Sequence, residues 1–289
     1  MIRAALLALL ASLLLAGCGQ DRQPEQPPGA PALWVVEDAG GEPAGWLFGT
    51  IHALPDDARW RTTALDRAVT AAGVLVVEVA NLDPKHVAAQ FERLARDRPG
   101  PPLAARLGPV ARRELTELLE RERTPARRLD GLETWAAALA LAQFGSGGET
   151  GNGADKALLA DFAGRPVREL EGAADQLAVF DALPEREQRA MLTAVIAEQD
   201  RADATALARA WLTGDTARME RLARTGLLAD PALYDALLVE RNRAWLREIL
   251  PLLRQGRRPL VAVGTAHLLG PDGLPALLAA EGYTIRRTQ

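Results

Sequence analysis

The sequence predicts an α/β fold: a central mixed sheet built from N- and C-terminal strands, with a large helical insertion between them. Three observations predict it. Val74 to Val77 and Leu260 to Val263 are apolar runs without alternation, the mark of strands buried on both faces. The stretch from about residue 83 to 255 is helical in texture, interrupted by one short strand at 167–170. Finally, the phrase Gly-Thr-x-His occurs twice, as Gly49-Thr50-Ile51-His52 and Gly264-Thr265-Ala266-His267, each directly after an apolar run. If the repetition has a purpose, the two ends of the chain must meet.

The elements follow in order. Leu33 to Glu37 and Gly45 to Gly49 flank a Gly-rich turn and read as a hairpin. Asp56 to Ala72 presents Leu65, Ala68, Val69 and Ala72 on one helical face, and Gly73 ends it. Val74 to Val77 is a core strand carrying Glu78 at its end. Asp83-Pro84 caps a helix reaching about Arg96, and helices at Pro109 to Glu122 and Leu132 to Phe144 follow. Gly145 to Gly153 is Gly-rich, fit for a hinge or a loop over a site. Beyond it come a short helix from Asp155 to Ala163, a strand from Val167 to Leu170 ending in Glu171, and helices at Ala173 to Leu183 and Pro184 to about Leu212. A long amphipathic helix from Pro231 to Gln255 leads to the strand Leu260 to Val263. A helix from Gly273 to Ala280 and a strand from Tyr283 to Arg287 close the chain.

Composition excludes one class. Among 289 residues the formal net charge is −4, and the charges are interspersed, so no basic face for nucleic acid is expected. The N-terminus is more specific. Met1-Ile2-Arg3 followed by an apolar run through Leu15 is too short to span a bilayer, for which about 20 apolar residues are needed, and reads as a secretory signal over residues 1–17. The run ends in Leu15-Ala16-Gly17-Cys18, and Cys18 is the sole cysteine. This resembles the lipobox of bacterial lipoproteins, which makes Cys18 the lipidated first residue. Residues 18–32 are Pro-rich and polar, a tether, and 33–289 form one domain. Gly19 after the cysteine resembles the outer-membrane retention signal, which places the domain on the outer membrane facing the periplasm.

His52, Glu78 and His267 each stand at the C-terminal edge of an apolar strand, where ligands bind in open α/β sheets. Imidazole and carboxylate together suit a first-row divalent metal, which lowers the pKa of bound water. Gly49 and Gly264 are expected to let the backbone turn at the strand end. Thr50 and Thr265 offer hydroxyls to orient a neighbouring group. The plainer readings are polar residues at sheet edges, a solvated His86, core tryptophans at 34, 46, 60, 135, 211 and 245, and a structural ion pair between Glu171 and Arg241.

The two motifs in this order, Trp46 to Pro55 (WLFGTIHALP) and Val261 to Leu268 (VAVGTAHL), with Leu75 to Val79 (LVVEV) between them, resemble the TraB/GumN family, relatives of the Tiki Wnt-cleaving proteases. Arg168 to Pro184 (RELEGAADQLAVFDALP) and Glu240-Arg241-Asn242 match it in style. The resemblance implies a metal-dependent, metalloprotease-like hydrolase of peptide or small amide or ester substrates. Manganese or cobalt is the expected ion, with zinc as an alternative. It makes His52 and His267 metal ligands or acid/base groups, Glu78 a ligand or general base, and Glu171 and Arg241 a second tier. Asp155 departs from the pattern, since relatives carry a larger apolar residue than Ala154 before it. The alternative is a non-catalytic metal-, haem- or peptide-binding lipoprotein, since the same fold includes relatives associated with haem-iron capture and pheromone shutdown.

Overall fold

The computed structural model describes residues 29–51, 54, 58–98, 100–144, 153–198 and 203–289. The signal, Cys18, His52 and most of the Gly-rich stretch from 145 lie outside the described residues. The expected tether ends sooner than residue 32. Gly29 and Ala30 donate to the carbonyls of Arg59 and Leu212, and Ala32 is buried.

A six-stranded sheet carries the domain. Its strands are β1 (Leu33–Glu37), β2 (Pro43–Thr50), β3 (Val74–Val77), β4 (Val167–Glu169), β5 (Pro259–Gly264) and β6 (Thr284–Arg287), in the spatial order β4-β3-β5-β2-β1-β6. The expected hairpin is present as antiparallel β1 and β2, and β6 adds to β1 antiparallel. The strands β4, β3, β5 and β2 run parallel to one another, so the sheet is mixed, as the sequence predicts. The register sets Thr50 opposite Gly264 and Val77 opposite Ala262. The carboxyl ends of β2, β3 and β5 therefore open at one edge.

Both faces of the central strands are covered, which is why they read as continuous apolar runs. One face packs Phe48, Leu75, Val77 and Leu260 against α1 (Thr63–Ala71) and other helices. Thr62 caps α1 through its side-chain oxygen on the Leu65 N–H. The helix is shorter than the expected 56–72, since 58–62 is non-helical. The other face packs Leu47, Val76, Val261 and Val263 against Trp245 and Ile249. Full burial of each such aliphatic side chain contributes about 1.5–3 kcal/mol.

The insertion has its own apolar core. It runs through α2 (Pro84–Leu94), α3 (Pro109–Arg121), α4 (Arg127–Asp130), α5 (Thr134–Ala142), α6 (Ala154–Asp161), α7 (Ala173–Asp181), α8 (Glu185–Glu198), α9 (Asp203–Leu212), α10 (Thr216–Ala223) and α11 (Pro231–Tyr234). Leu115, Trp135, Leu141, Met191 and Ile196 are buried together there, away from the sheet. α6 and α9 return to the sheet, placing Leu158 and Trp211 beside Phe48. The sequence reading omits α10.

The long helix expected at Pro231 to Gln255 is three pieces. After α11 comes a π-helical turn, Asp235–Val239, and then α12 (Glu240–Arg254) with Pro251 inside it. π turns inside helices recur at functional sites. α13 (Leu274–Ala280) closes the core against α12.

Candidate functional site

The site lies where β3, β5 and the end of β4 approach α12. Glu78 follows β3 directly and Glu171 follows β4 by two residues, so both carboxylates leave the sheet at its carboxyl edge. Backbone N–H groups of Glu171 and Gly172 donate to the Glu78 carbonyl, at 3.2 Å each, which ties the two strand ends together. Gly172 adopts φ +88°, a conformation other residues reach only with strain.

Arg241, in the first turn of α12, reaches between the carboxylates. Its Nε and NH2 donate to Glu171 Oε1 and Oε2 at 2.8 Å each, a fork-to-fork pair. NH2 also donates to Glu78 Oε2 at 2.9 Å, and NH1 donates to the Leu237 carbonyl at 3.2 Å. The structural ion pair foreseen between Glu171 and Arg241 is therefore present, with Glu78 joined to it. All three side chains are only 11 % exposed. Burial works against the charge of Arg241, yet the hydrogen bond to Glu171 and the charge of Glu78 outweigh it and hold the guanidinium above its ordinary value.

His267 sits in a short 3₁₀ turn, Thr265–Leu268, after β5. Its Nδ1 lies 2.7 Å from Asn242 Oδ1 and its Nε2 lies 3.2 Å from Arg241 NH1. Asn242 donates its Nδ2 to the carbonyls of His267 and Asp272, so its Oδ1 faces the ring as an acceptor. That assigns the ring proton to Nδ1 and leaves a lone pair at Nε2. Trp245 lies against the ring, with centroids 4.2 Å apart, and donates its indole N–H to Glu171 Oε1 at 2.9 Å. Burial, then the charge of Arg241, pushes the His267 pKa well below its ordinary value.

This shift has a consequence for stability. Unfolding restores an ordinary histidine, so below about pH 6.5 the unfolded state binds a proton that the folded state refuses. Stability then falls as pH falls through that window, by up to about 1.4 kcal/mol per pH unit. Urea titrations at pH 5 to 8 are expected to show this slope in wild type and to lose it in His267→Gln. A His267→Gln chain with an unchanged slope would disprove the assignment.

The glycines of the motifs act by vacancy. Gly264 has φ −49° and needs no unusual backbone. A Cβ there would stand 3.1 Å from Glu78 Oε1, the oxygen that accepts the Gly264 N–H at 2.7 Å. A Cβ on Gly49 would stand 2.7 Å from Thr265 Oγ1. The expected turning role is thus replaced by close approach. Thr265 uses its hydroxyl to donate to the Thr50 carbonyl at 2.9 Å, a direct bond between the two motifs. Thr50 Oγ1 is buried with no partner among the described residues.

His52 is outside the described residues, but its neighbour Ile51 accepts from the N–H of Ala154 at 3.1 Å. This brings the first turn of α6, which carries Asp155, to Ile51 of the first motif. The structure thus brings together Glu78, Glu171, Arg241, Thr265 and His267, with Thr50 alongside. The sequence reading missed Gln176, which donates to Glu78 Oε2 at 2.9 Å, and the roles of Asn242 and Trp245. The signal for Gln176 and Asn242 was their place inside the stretches RELEGAADQ and Glu240-Arg241-Asn242.

A cleft of about 780 Å³ opens beside this cluster, with Glu171, Arg241 and Trp245 in its wall and Leu170, Val179 and Leu183 among its apolar lining. Among the described residues, no helix is long and apolar enough to cross a membrane.

Residues 32–287 match the TraB/PrgY/gumN family. The chain belongs to that family. No curated protein and no solved structure gives a significant match. The family resemblance implies a divalent ion; His52, one of its expected ligands, lies outside the described residues, and the described donors Glu78, Glu171 and His267 are engaged by Arg241. Among the described residues no group of three or more His, Cys, Asp or Glu side chains is placed to hold a metal. Glu78 Oε2, both Glu171 oxygens and His267 Nε2 converge on the Arg241 guanidinium, while Glu78 Oε1 takes the Gly264 N–H.

Proposed function

We propose that this chain is a hydrolase of peptide bonds, or of related amide or ester bonds, held by a lipid on Cys18 to the outer membrane and facing the periplasm. The single observation that supports this best is His267: a neutral imidazole, oriented by Asn242, with its Nε2 lone pair beside a guanidinium at the carboxyl edge of a parallel sheet.

The chemistry runs through this chain's own groups. A substrate carbonyl presented from the cleft side takes an N–H of Arg241, which supports the negative charge that develops on that oxygen. By accepting the NH1 N–H that points at Nε2, the substrate carbonyl frees the Nε2 lone pair while Glu78 and Glu171 keep the guanidinium in place. Nε2 then takes a proton from water, and the hydroxide attacks the carbonyl carbon. The imidazolium returns the proton to the leaving amine or alcohol as the C–N or C–O bond breaks. Glu78 and Glu171 hold the guanidinium, and Trp245 fixes the plane of the ring. Carboxylates at Glu171, Asp175, Glu240 and Glu248 outnumber the guanidinium groups of Arg241 and Arg247 along the cleft, which favours neutral or basic peptides.

The test is cleavage of a peptide library by the purified protein, with and without manganese. His267→Ala is expected to lower turnover by about 10²–10⁴-fold, the size of a lost acid–base contribution, and Glu78→Gln, which loosens the guanidinium that faces the developing oxyanion, by about 10²–10³-fold. Wild-type turnover in both folded variants would sink the proposal.

The second reading is a binding module, favoured by the fact that the cluster's polar groups already satisfy one another. It anticipates peptide binding in the cleft without turnover, with or without manganese.

A further inference from the structure

We propose that Arg241 is the resident cation of this site: Glu78, Glu171 and His267 form a cradle for its guanidinium, and a divalent ion gains those donors only when the guanidinium is removed.

The donor count supports this. A guanidinium has five N–H donors, and Arg241 has an acceptor for each. They are Glu171 Oε1, Glu171 Oε2, Glu78 Oε2, the Leu237 carbonyl and His267 Nε2. The acceptors are equally committed. His267 carries its proton on Nδ1, so it has one lone pair, and NH1 stands 3.2 Å from it. Glu78 Oε2 accepts from both Arg241 and Gln176, and Glu171 Oε1 accepts from both Arg241 and Trp245. A metal ligated by the same imidazole would need that lone pair at about 2.0–2.1 Å. The guanidinium and the ion would then be like charges in contact inside a site that excludes most water, where repulsion is poorly screened.

The surroundings are built for a planar, weakly hydrated cation rather than a compact one. The guanidinium carbon lies 4.7 Å from the Trp245 ring centroid, a cation–π contact that a divalent ion would not reproduce. Three neutral donors, the Gly264 N–H, Gln176 Nε2 and Trp245 Nε1, bind the carboxylates and orient them toward the fork. The π turn before α12 contributes the Leu237 carbonyl to NH1. This inference stands apart from the proposed hydrolase activity, because its readout is metal binding and not turnover.

The experiment uses the full chain with ¹⁵N-labelled histidine. In wild type, one equivalent of Mn²⁺ is expected to leave the His267 ring resonances sharp and in the Nδ1–H form. Co²⁺ titrations by absorbance and calorimetry are expected to show affinity rising about tenfold or more in Arg241→Gln, as the like charge is lifted. The rise should vanish in Arg241→Gln/His267→Ala, while Arg241→Lys, which keeps the charge, should bind as weakly as wild type. Broadening of the His267 resonances by stoichiometric Mn²⁺ in wild type would overturn the proposal, as would an Arg241→Gln chain that binds Co²⁺ no better. If Arg241→Gln does not fold, the wild-type spectrum alone decides.

Discussion

Arg241→Ala is expected to lower the stability of the domain by about 3–5 kcal/mol, the cost of removing one partner from a buried ion pair. The size follows from what is left behind. Glu78 and Glu171 keep their backbone, Gln176 and Trp245 donors, but two carboxylates with 11 % exposed side chains lose the only cation that contacts them among the described residues. In a domain of this size the melting temperature should fall by roughly 10 °C. The effect belongs to the charge and not to the lost volume if Arg241→Ala/Glu171→Gln recovers part of it, because one orphaned carboxylate is then neutral. Urea denaturation of wild type and these two variants gives the comparison. A loss under about 1 kcal/mol, the size of an exposed pair, would mean that the cluster is solvated and that the cradle argument is mistaken.

The second large effect is expected from a single methyl group. Gly49→Ala introduces a Cβ 2.7 Å from Thr265 Oγ1 and 3.2 Å from its Cα, at the contact where the two motifs touch. The backbone there has little room to yield, since the Gly49 carbonyl accepts the Trp211 indole N–H and the adjacent Thr50 carbonyl accepts the Thr265 hydroxyl. Overpacking of this kind costs about 1–3 kcal/mol. Thr265→Ala removes the nearest atom, so Gly49→Ala/Thr265→Ala should be more stable than the sum of the single changes implies. Strict additivity in thermal or urea melts would show that the close approach does not limit the packing.

These two cases show what the sequence discloses and what it withholds. Val74 to Val77 and Leu260 to Val263 announce buried parallel strands because burial on both faces removes polar alternation. The hairpin is equally open to reading, since its turn residues stand between two short apolar runs. The repeated Gly-Thr-x-His announces a meeting of the two ends, and the register pairs Thr50 with Gly264. The sequence does not disclose why the glycines are needed, because their neighbours, Thr265 and Glu78, are set by tertiary packing. Trp245 looks like any core tryptophan along an amphipathic helix; only the path of α12 over the sheet turns its indole N–H to Glu171 and its ring to His267. The π turn is hidden for a related reason. Leu237, Leu238 and Trp245 keep a helical spacing broad enough to absorb one extra residue, so periodicity reads straight through Asp235–Val239.

That turn makes the chain's length in this region a structural variable. A regular α-helix advances about 100° per residue, so deleting one residue between Asp235 and Val239 would convert the wide turn to an ordinary one and rotate one flank against the other. α12 is anchored by Trp245, Ile249 and Leu253 under the sheet, so the flank that swings is α11, together with the Tyr234 hydroxyl on Asp272 and Leu233 in the helical core. The register of this segment therefore couples the insertion to the sheet: one residue fewer, and the helical layer and the histidine edge could no longer both be seated.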